Sequence, residues 1–175
     1  MMPATLFGKH PSSSEYLHIG PRSAFMNSVA QWVEKGYETL LQNREIKADE
    51  KIHHFAFLNA KEERLICGSM KLSRDSRGRR YPLVIATELQ DSDAFVSTRE
   101  LRTLSREIAR KSAAILKSEL DLAGLKEALR ELAEYQPKKR EEEQMPTAII
   151  MDESFSEETL FYRPLLVDDF IETVR

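Results

Sequence analysis

The sequence predicts an α/β sandwich, with helices covering a mixed, largely antiparallel sheet inside a single domain. Three observations carry this expectation. Apolar residues recur at steps of three and four from Phe25 to Leu41, the signature of a helix with one buried face. Three apolar stretches then follow in succession, Ile52–Ala60, Arg64–Leu72 and the run from Tyr81. Their short connections favour antiparallel neighbours. A second helical zone precedes two late strand-like stretches, so helices and strands alternate along the chain.

Each element has a local reason. Ala4–Phe7 is a short apolar stretch suited to a first strand, and it ends in a Gly-, Pro- and Ser-rich loop from Gly8 to Leu17. Pro21 and Ser23 open the first helix. Its face comprises Phe25, Met26, Val29, Trp32, Val33, Gly36, Tyr37, Leu40 and Leu41, and core packing is the expected role of Trp32. Ile52–Ala60 and Arg64–Leu72 read as a hairpin around Lys61-Glu62-Glu63, and Gly68 marks a bulge or a close backbone approach. Tyr81-Pro82-Leu83-Val84-Ile85-Ala86 reads as a buried strand, with Pro82 near its start because proline has no amide donor. Ser97-Thr98-Arg99-Glu100 is a capping box for a helix carrying Leu101, Leu104, Ile108, Ile115 and Leu116 inward and a basic outer stripe. Asp121 restarts the helical pattern through Leu132, and Pro137 ends it. The expected organisation is a core over 1–136, a charged linker over 137–146, and strands at Thr147–Met151 and Leu160–Val167 completing the same domain over 147–175. A short helix is expected from Asp168.

Composition removes several function classes. The 175 residues are 41% hydrophobic and 31% charged, and the net charge is −3, so there is no global field to draw nucleic acid or an acidic membrane. No apolar run reaches the roughly 20 residues that span a bilayer. The first residues lack a basic and then apolar leader, so the expected compartment is the cytoplasm. Cys67 is the only cysteine, which excludes an intrachain disulfide and disfavours structural zinc.

The segment Ser73-Arg74-Asp75-Ser76-Arg77-Gly78-Arg79-Arg80 is the strongest interaction candidate. It is a polar turn around Gly78 at the mouth of a core strand, and loops on rigid scaffolds often carry recognition. Asp75 is expected to tether the turn by bonding its own backbone. Arg77, Arg79 and Arg80 could then grip a carboxylate or phosphate through paired donors. A solvated turn is the plain alternative. Aromatics are not interleaved with the cluster, which argues against nucleic acid. Elsewhere the chemistry is thin. His53 and His54 are adjacent, point to opposite faces of a strand, and read as surface or half-buried residues. Cys67 reads as an inert small hydrophobe. Glu15 and Asp75 are conceivable as paired carboxylates. Ser12, Ser13 and Ser14 with His10 or His18 offer the residue types of a serine hydrolase without its nucleophile elbow. Gly8-Lys9 has no room upstream for the rest of a phosphate loop. No cofactor or metal is expected.

Ser73-x-Asp75-x-x-Gly78-Arg79-Arg80-Tyr81-Pro82 resembles the signature of the TagF/ImpM family associated with type VI secretion, where the tyrosine position is commonly phenylalanine. Gly8-Lys9-His10-Pro11-Ser12 is similar to that family's opening Gly-Lys-x-Pro-Ser. Phe25 to Gly36, with Trp32, resembles its first helix, although Val29 stands where a first tryptophan is usual. Ser14-Glu15-Tyr16 replaces a usual Gly-Asp-Phe. The resemblance covers the chain to about Leu89. It implies a three-layer α/β/α sandwich and a non-enzymatic cytoplasmic accessory protein that restrains assembly or firing of the secretion system. The implied partner is the system's forkhead-associated scaffold protein, in some cases together with a phosphatase. The partner-binding residues expected on this basis are Lys9, Glu15, Asp75, Arg77, Arg79 and Arg80, with no membrane insertion. Gly8, Pro11, Trp32, Gly36, Ser73, Gly78, Tyr81 and Pro82 are the motif's structural residues. A small serine hydrolase using Ser12 to Glu15, or a structural piece of the apparatus, are the alternatives.

Overall fold

Strand β1 (Ala4–Lys9) carries Leu6 and Phe7 side by side, and strand geometry sends neighbouring side chains to opposite faces. Both are buried, so the strand is covered from either side. In the computed structural model, which describes residues 3–42, 51–59, 64–90, 98–134, 148–151 and 158–161, this two-sided burial runs through the centre of the sheet.

The remaining elements are β2 (Tyr16–Ile19), α1 (Ala24–Gln42), β3 (Ile52–Asn59), β4 (Arg64–Arg74), β5 (Arg80–Gln90), α2 (Thr98–Lys117), α3 (Leu122–Ala133), β6 (Ala148–Met151) and β7 (Glu158–Phe161). The strands form one sheet in the order β2-β1-β5-β4-β3-β6-β7, and every pair in it is antiparallel. The α/β class and the antiparallel hairpins expected of the sequence are therefore present, and the sheet contains no parallel pair among the described strands.

Two apolar clusters hold the helices to this sheet. In the first, Met26, Val29, Ala30, Val33 and Leu40 of α1 meet Phe7, Phe55, Phe57, Ile66, Met70, Val84 and Ala86. In the second, Leu116 of α2 and Leu125, Leu129 and Leu132 of α3 meet Ala4, Leu6, Ile52, Leu83 and Ile85. Each fully buried aliphatic side chain contributes about 1.5–3 kcal/mol relative to exposure. Val84 and Ala86 belong to one cluster and Leu83 and Ile85 to the other, as alternation along β5 requires. The Ser23 hydroxyl accepts from the Met26 amide at 2.9 Å and so caps α1. Asp121 caps α3 through the Gly124 amide at 2.8 Å. Trp32 sits half-buried at the rim of the first cluster, edge-on to Phe57 with ring centroids 5.2 Å apart.

Several expectations need correction. His53 and His54 are buried, not surface or half-buried. The Ser69 hydroxyl donates to the Ala109 carbonyl at 3.1 Å, which uses its single hydrogen. His54 Nδ1, 2.7 Å from the same oxygen, is therefore the donor in that bond. This chain ties β3, β4 and α2 together. Leu41, placed on the buried face of α1 by spacing, is 51% exposed because it falls at the edge of the helical stripe. Tyr16–Ile19 is a strand where a loop was expected, and β1 runs on to Lys9. Gly68 marks a close approach, since a Cβ there would lie 2.2 Å from the Ile85 carbonyl oxygen, while the β3–β4 register continues unbroken. The Cys67 thiol is pushed up to about 12 by burial, partly offset by Ser105, and stays protonated at neutral pH. The hairpin turn at 61–63, Ser97 of the capping box, the linker over 137–146 and the helix from Asp168 lie outside the described residues, as does the late strand beyond Phe161. Among the described residues no helix is long and apolar enough to cross a membrane.

Candidate functional site

The loop that follows β1 and the turn between β4 and β5 are more than sixty positions apart in sequence and meet at one corner of the sheet. The meeting begins with Gly8, whose register partner on β5 is Leu83. Gly8 has φ +121°, and a Cβ there would lie 2.0 Å from the Pro82 carbonyl oxygen. Only glycine supplies both the left-handed conformation and the close approach. The next residue, Lys9, is thereby aimed at the turn, and its ammonium lies 3.1 Å from Asp75 Oδ2.

Asp75 is the hub. Its side chain is fully buried, yet both oxygens are saturated. Oδ1 accepts from the Arg77 amide at 3.0 Å and the Arg79 amide at 2.9 Å. Oδ2 accepts from Lys9 Nζ at 3.1 Å and Arg79 Nε at 2.7 Å. The backbone adds a pair across the turn, Asp75 amide to Arg79 carbonyl at 3.0 Å and Gly78 amide to Asp75 carbonyl at 2.9 Å. Burial alone would push this carboxyl up. The Arg79 amide, the Lys9 ammonium, the Arg79 guanidinium and the Arg77 amide outweigh it and hold the group well below the usual carboxylate range. The carboxylate is thus permanently charged at physiological pH and internally neutralised. Gly78, at φ +78° with open space around it, closes the turn.

Two further bonds join the loops. The Ser76 amide donates to the Ser13 carbonyl at 2.9 Å, and Arg79 reaches the Ser14 carbonyl at 2.5 Å. Arg79 is therefore a tether between loops. Arg77 and Arg80 are exposed and form no ion pair among the described residues. Glu15 is exposed, and its carboxylate faces the Ser14 hydroxyl at 3.4 Å instead of pairing with Asp75. Tyr81, half-buried, is edge-on to both Tyr16 (5.4 Å) and Tyr37 (5.2 Å), which ties the turn to β2 and α1. Burial, then Tyr16 and Glu34, push its hydroxyl up. Pro11, Ser73 and Pro82 belong to this corner as well, whereas Trp32 and Gly36 serve the packing of α1.

Beside the corner lies a cleft of about 690 Å³, walled by the end of β4, the start of β5, the loop after β1 and the α2–α3 connection. His10 and Ser12 line it, with His10 Nδ1 2.8 Å from Ser12 Oγ. Because the Ser12 amide also donates to this nitrogen at 3.2 Å, Nδ1 is an acceptor and the ring proton sits on Nε2. Burial first, then Lys71, lower the His10 pKa, so the ring is neutral at pH 7. Lys71 Nζ donates to the Leu116 carbonyl at the end of α2. Arg74 lay within the segment singled out from the sequence, but sequence reasoning missed Lys71, hidden in the apolar pattern of β4, and Ser118, because the cleft's far wall comes from the α2–α3 connection. It also missed the carbonyls of Ser13 and Ser14, which no side-chain pattern reveals.

Comparison with known proteins adds identity to this geometry. No curated protein matches the sequence. The fold is similar to that of PA0076 from Pseudomonas aeruginosa PAO1, known from a crystal structure. The TM-score is 0.70 and the identity 14%, over 98% of this chain and 93% of that one. At that identity the likeness is one of fold. Residues 5–132, which run from the second residue of β1 to the penultimate residue of α3 and include both latched loops, match the TagF N-terminal domain, described as type VI secretion system-associated. The chain therefore belongs to the TagF N-terminal domain family of type VI secretion-associated proteins.

Proposed function

We propose that the protein is a non-enzymatic cytoplasmic regulator of type VI secretion, restraining its assembly or firing by docking on the system's forkhead-associated scaffold protein. The observation that carries this is the saturation of Asp75. One buried carboxylate locks both family motifs into a single rigid corner, and Arg77 and Arg80 project from it with no ion pair among the described residues. A preorganised turn loses little entropy on binding, and exposed guanidinium groups suit acidic or carbonyl-rich protein surface. The two core clusters support a three-layer α/β/α arrangement, with α1 on one face of the sheet and α2 and α3 on the other. In calorimetric titration of the purified scaffold protein, we expect the double variant Arg77→Glu and Arg80→Glu to bind at least about tenfold more weakly than wild type, with a melting temperature no lower than the wild-type one. Equal binding would remove the corner from the interface. Arg79→Glu belongs to a different class, because it cuts the tether to Ser14 and Asp75 and loosens the loop itself. A phosphatase partner would enter through the same complex, and co-purification from secreting cells tests it.

A second reading is a small serine hydrolase, favoured by the 2.8 Å contact between His10 Nδ1 and Ser12 Oγ at a cleft. Among the described residues no carboxylate hydrogen-bonds to His10 to orient it, which is why the first reading is preferred. An esterase and phosphatase screen of wild type against Ser12→Ala separates the two. Hydrolysis lost with Ser12 would establish the enzyme, and a silent wild type would end this reading.

A further inference from the structure

Antiparallel register sets Arg74 of β4 directly opposite Arg80 of β5. Cross-strand partners have Cβ atoms about 5 Å apart, and like charges so placed oppose each other. Both arginines are exposed and neither forms an ion pair among the described residues, the adjacent Asp75 carboxylate being taken by Lys9, Arg77 and Arg79. Both residues line the cleft of about 690 Å³, a volume in the range of small-molecule sites.

The cleft's charge is uneven. Lys71, Arg74, Arg80 and Lys117 outnumber Glu119 and Asp121. The acids lie in the α2–α3 connection, away in sequence from the strand wall that holds the arginines. Asp121 is committed to capping α3 through the Gly124 amide. Hydroxyls of Ser12 and Ser73 and the neutral imidazole of His10 complete the strand side. Two neighbouring guanidinium groups with the Ser73 hydroxyl alongside, the Ser12 hydrogen being spent on His10 Nδ1, suit a tetrahedral dianion better than a planar carboxylate, because more than two acceptor oxygens can be satisfied at once.

We propose that this cleft binds the phosphoryl dianion of inorganic phosphate or a small phosphate monoester, held between the opposed Arg74 and Arg80. The site shares Arg80 with the proposed docking corner, but it needs no scaffold protein to be tested.

The test is calorimetry and thermal melting of the full chain with inorganic phosphate, and separately with adenosine monophosphate, against sodium chloride at matched ionic strength. Saturable binding to wild type is expected, with a rise in melting temperature that the chloride control does not give. The double variant Arg74→Gln and Arg80→Gln should weaken that binding at least about tenfold. Without ligand it should melt at or above the wild-type temperature, because a repulsion has been removed. Lys126→Gln, which removes an exposed charge on α3 away from the cleft, should bind as wild type does. Tighter binding of adenosine monophosphate points to a phosphorylated small molecule, and equal binding points to phosphate itself. Absence of saturable binding by both probes, or equal binding by the double variant, overturns the proposal. A ligand-free double variant that melts well below wild type would also overturn it, since the arginines would then be structural. Because the docking test shares Arg80, the single variant Arg77→Glu, at a residue outside the cleft, reads scaffold binding separately, so failure here and failure there remain distinguishable.

Discussion

Asp75 gathers four donors onto one carboxylate that solvent does not reach. Its folded pKa is lowered, so its contribution to stability is present above the unfolded carboxylate value, about 4, and is lost as pH falls toward the folded value. Thermal melts between about pH 7 and pH 2 should therefore show wild type well above Asp75→Asn at neutral pH, with the gap closing in acid below about pH 4. Parallel curves would mean the charge does not matter. The two left-handed glycines of this corner, Gly78 in the turn and Gly8 in β1, should behave differently. Gly78→Ala meets open space and carries only the left-handed backbone penalty, about 1–2 kcal/mol. Gly8→Ala adds a clash with the Pro82 carbonyl and should cost more than about 3 kcal/mol, as denaturant titration would show. Which arginine reaches Asp75 was not legible in the sequence. Arg77, Arg79 and Arg80 are chemically alike, and the path of the turn around Gly78 selects Arg79. His53 and His54 were misjudged for a similar reason: the burial of His54 is made tolerable by Ser69, fifteen positions away on the neighbouring strand.

At the scale of elements, periodicity was a good guide wherever one face is long and apolar. Helix α1, the second helical zone and the β3–β5 group follow from spacing alone. Strand β2 did not, because it is a four-residue edge strand whose burial only alternates between exposed and half-buried. Its identity comes from pairing with β1 across a loop of turn residues. Helix α3 is anchored by Leu125, Leu129 and Leu132, all within the second cluster. Leu129→Ala should destabilise the protein by about 2–5 kcal/mol, measured by urea unfolding. A cost under about 1 kcal/mol would mean that α3 is not packed on the sheet. Asp121→Ala, which removes the α3 cap, should cost about 0.5–2 kcal/mol in the same assay.

Across the molecule, the sheet brings together two motifs that lie far apart in the chain, because β1 pairs with β5 in the register that sets Gly8 beside Leu83. The motifs could be read in the sequence; their union through Lys9, Ser13 and Ser14 could not, because it depends on backbone carbonyls and on that register. The cleft was hidden for the same reason, since its walls come from four separate segments. One buried carboxylate makes the two loops behave as a single surface. Amide hydrogen exchange in wild type and Asp75→Asn reads this directly. The Arg77, Arg79 and Ser76 amides should be protected in wild type, and all three should lose protection together in the variant while the β4–β5 ladder keeps its own. If protection at Ser76, which bonds the other loop, were unchanged in the variant, the two loops would be held independently and the central claim would fail.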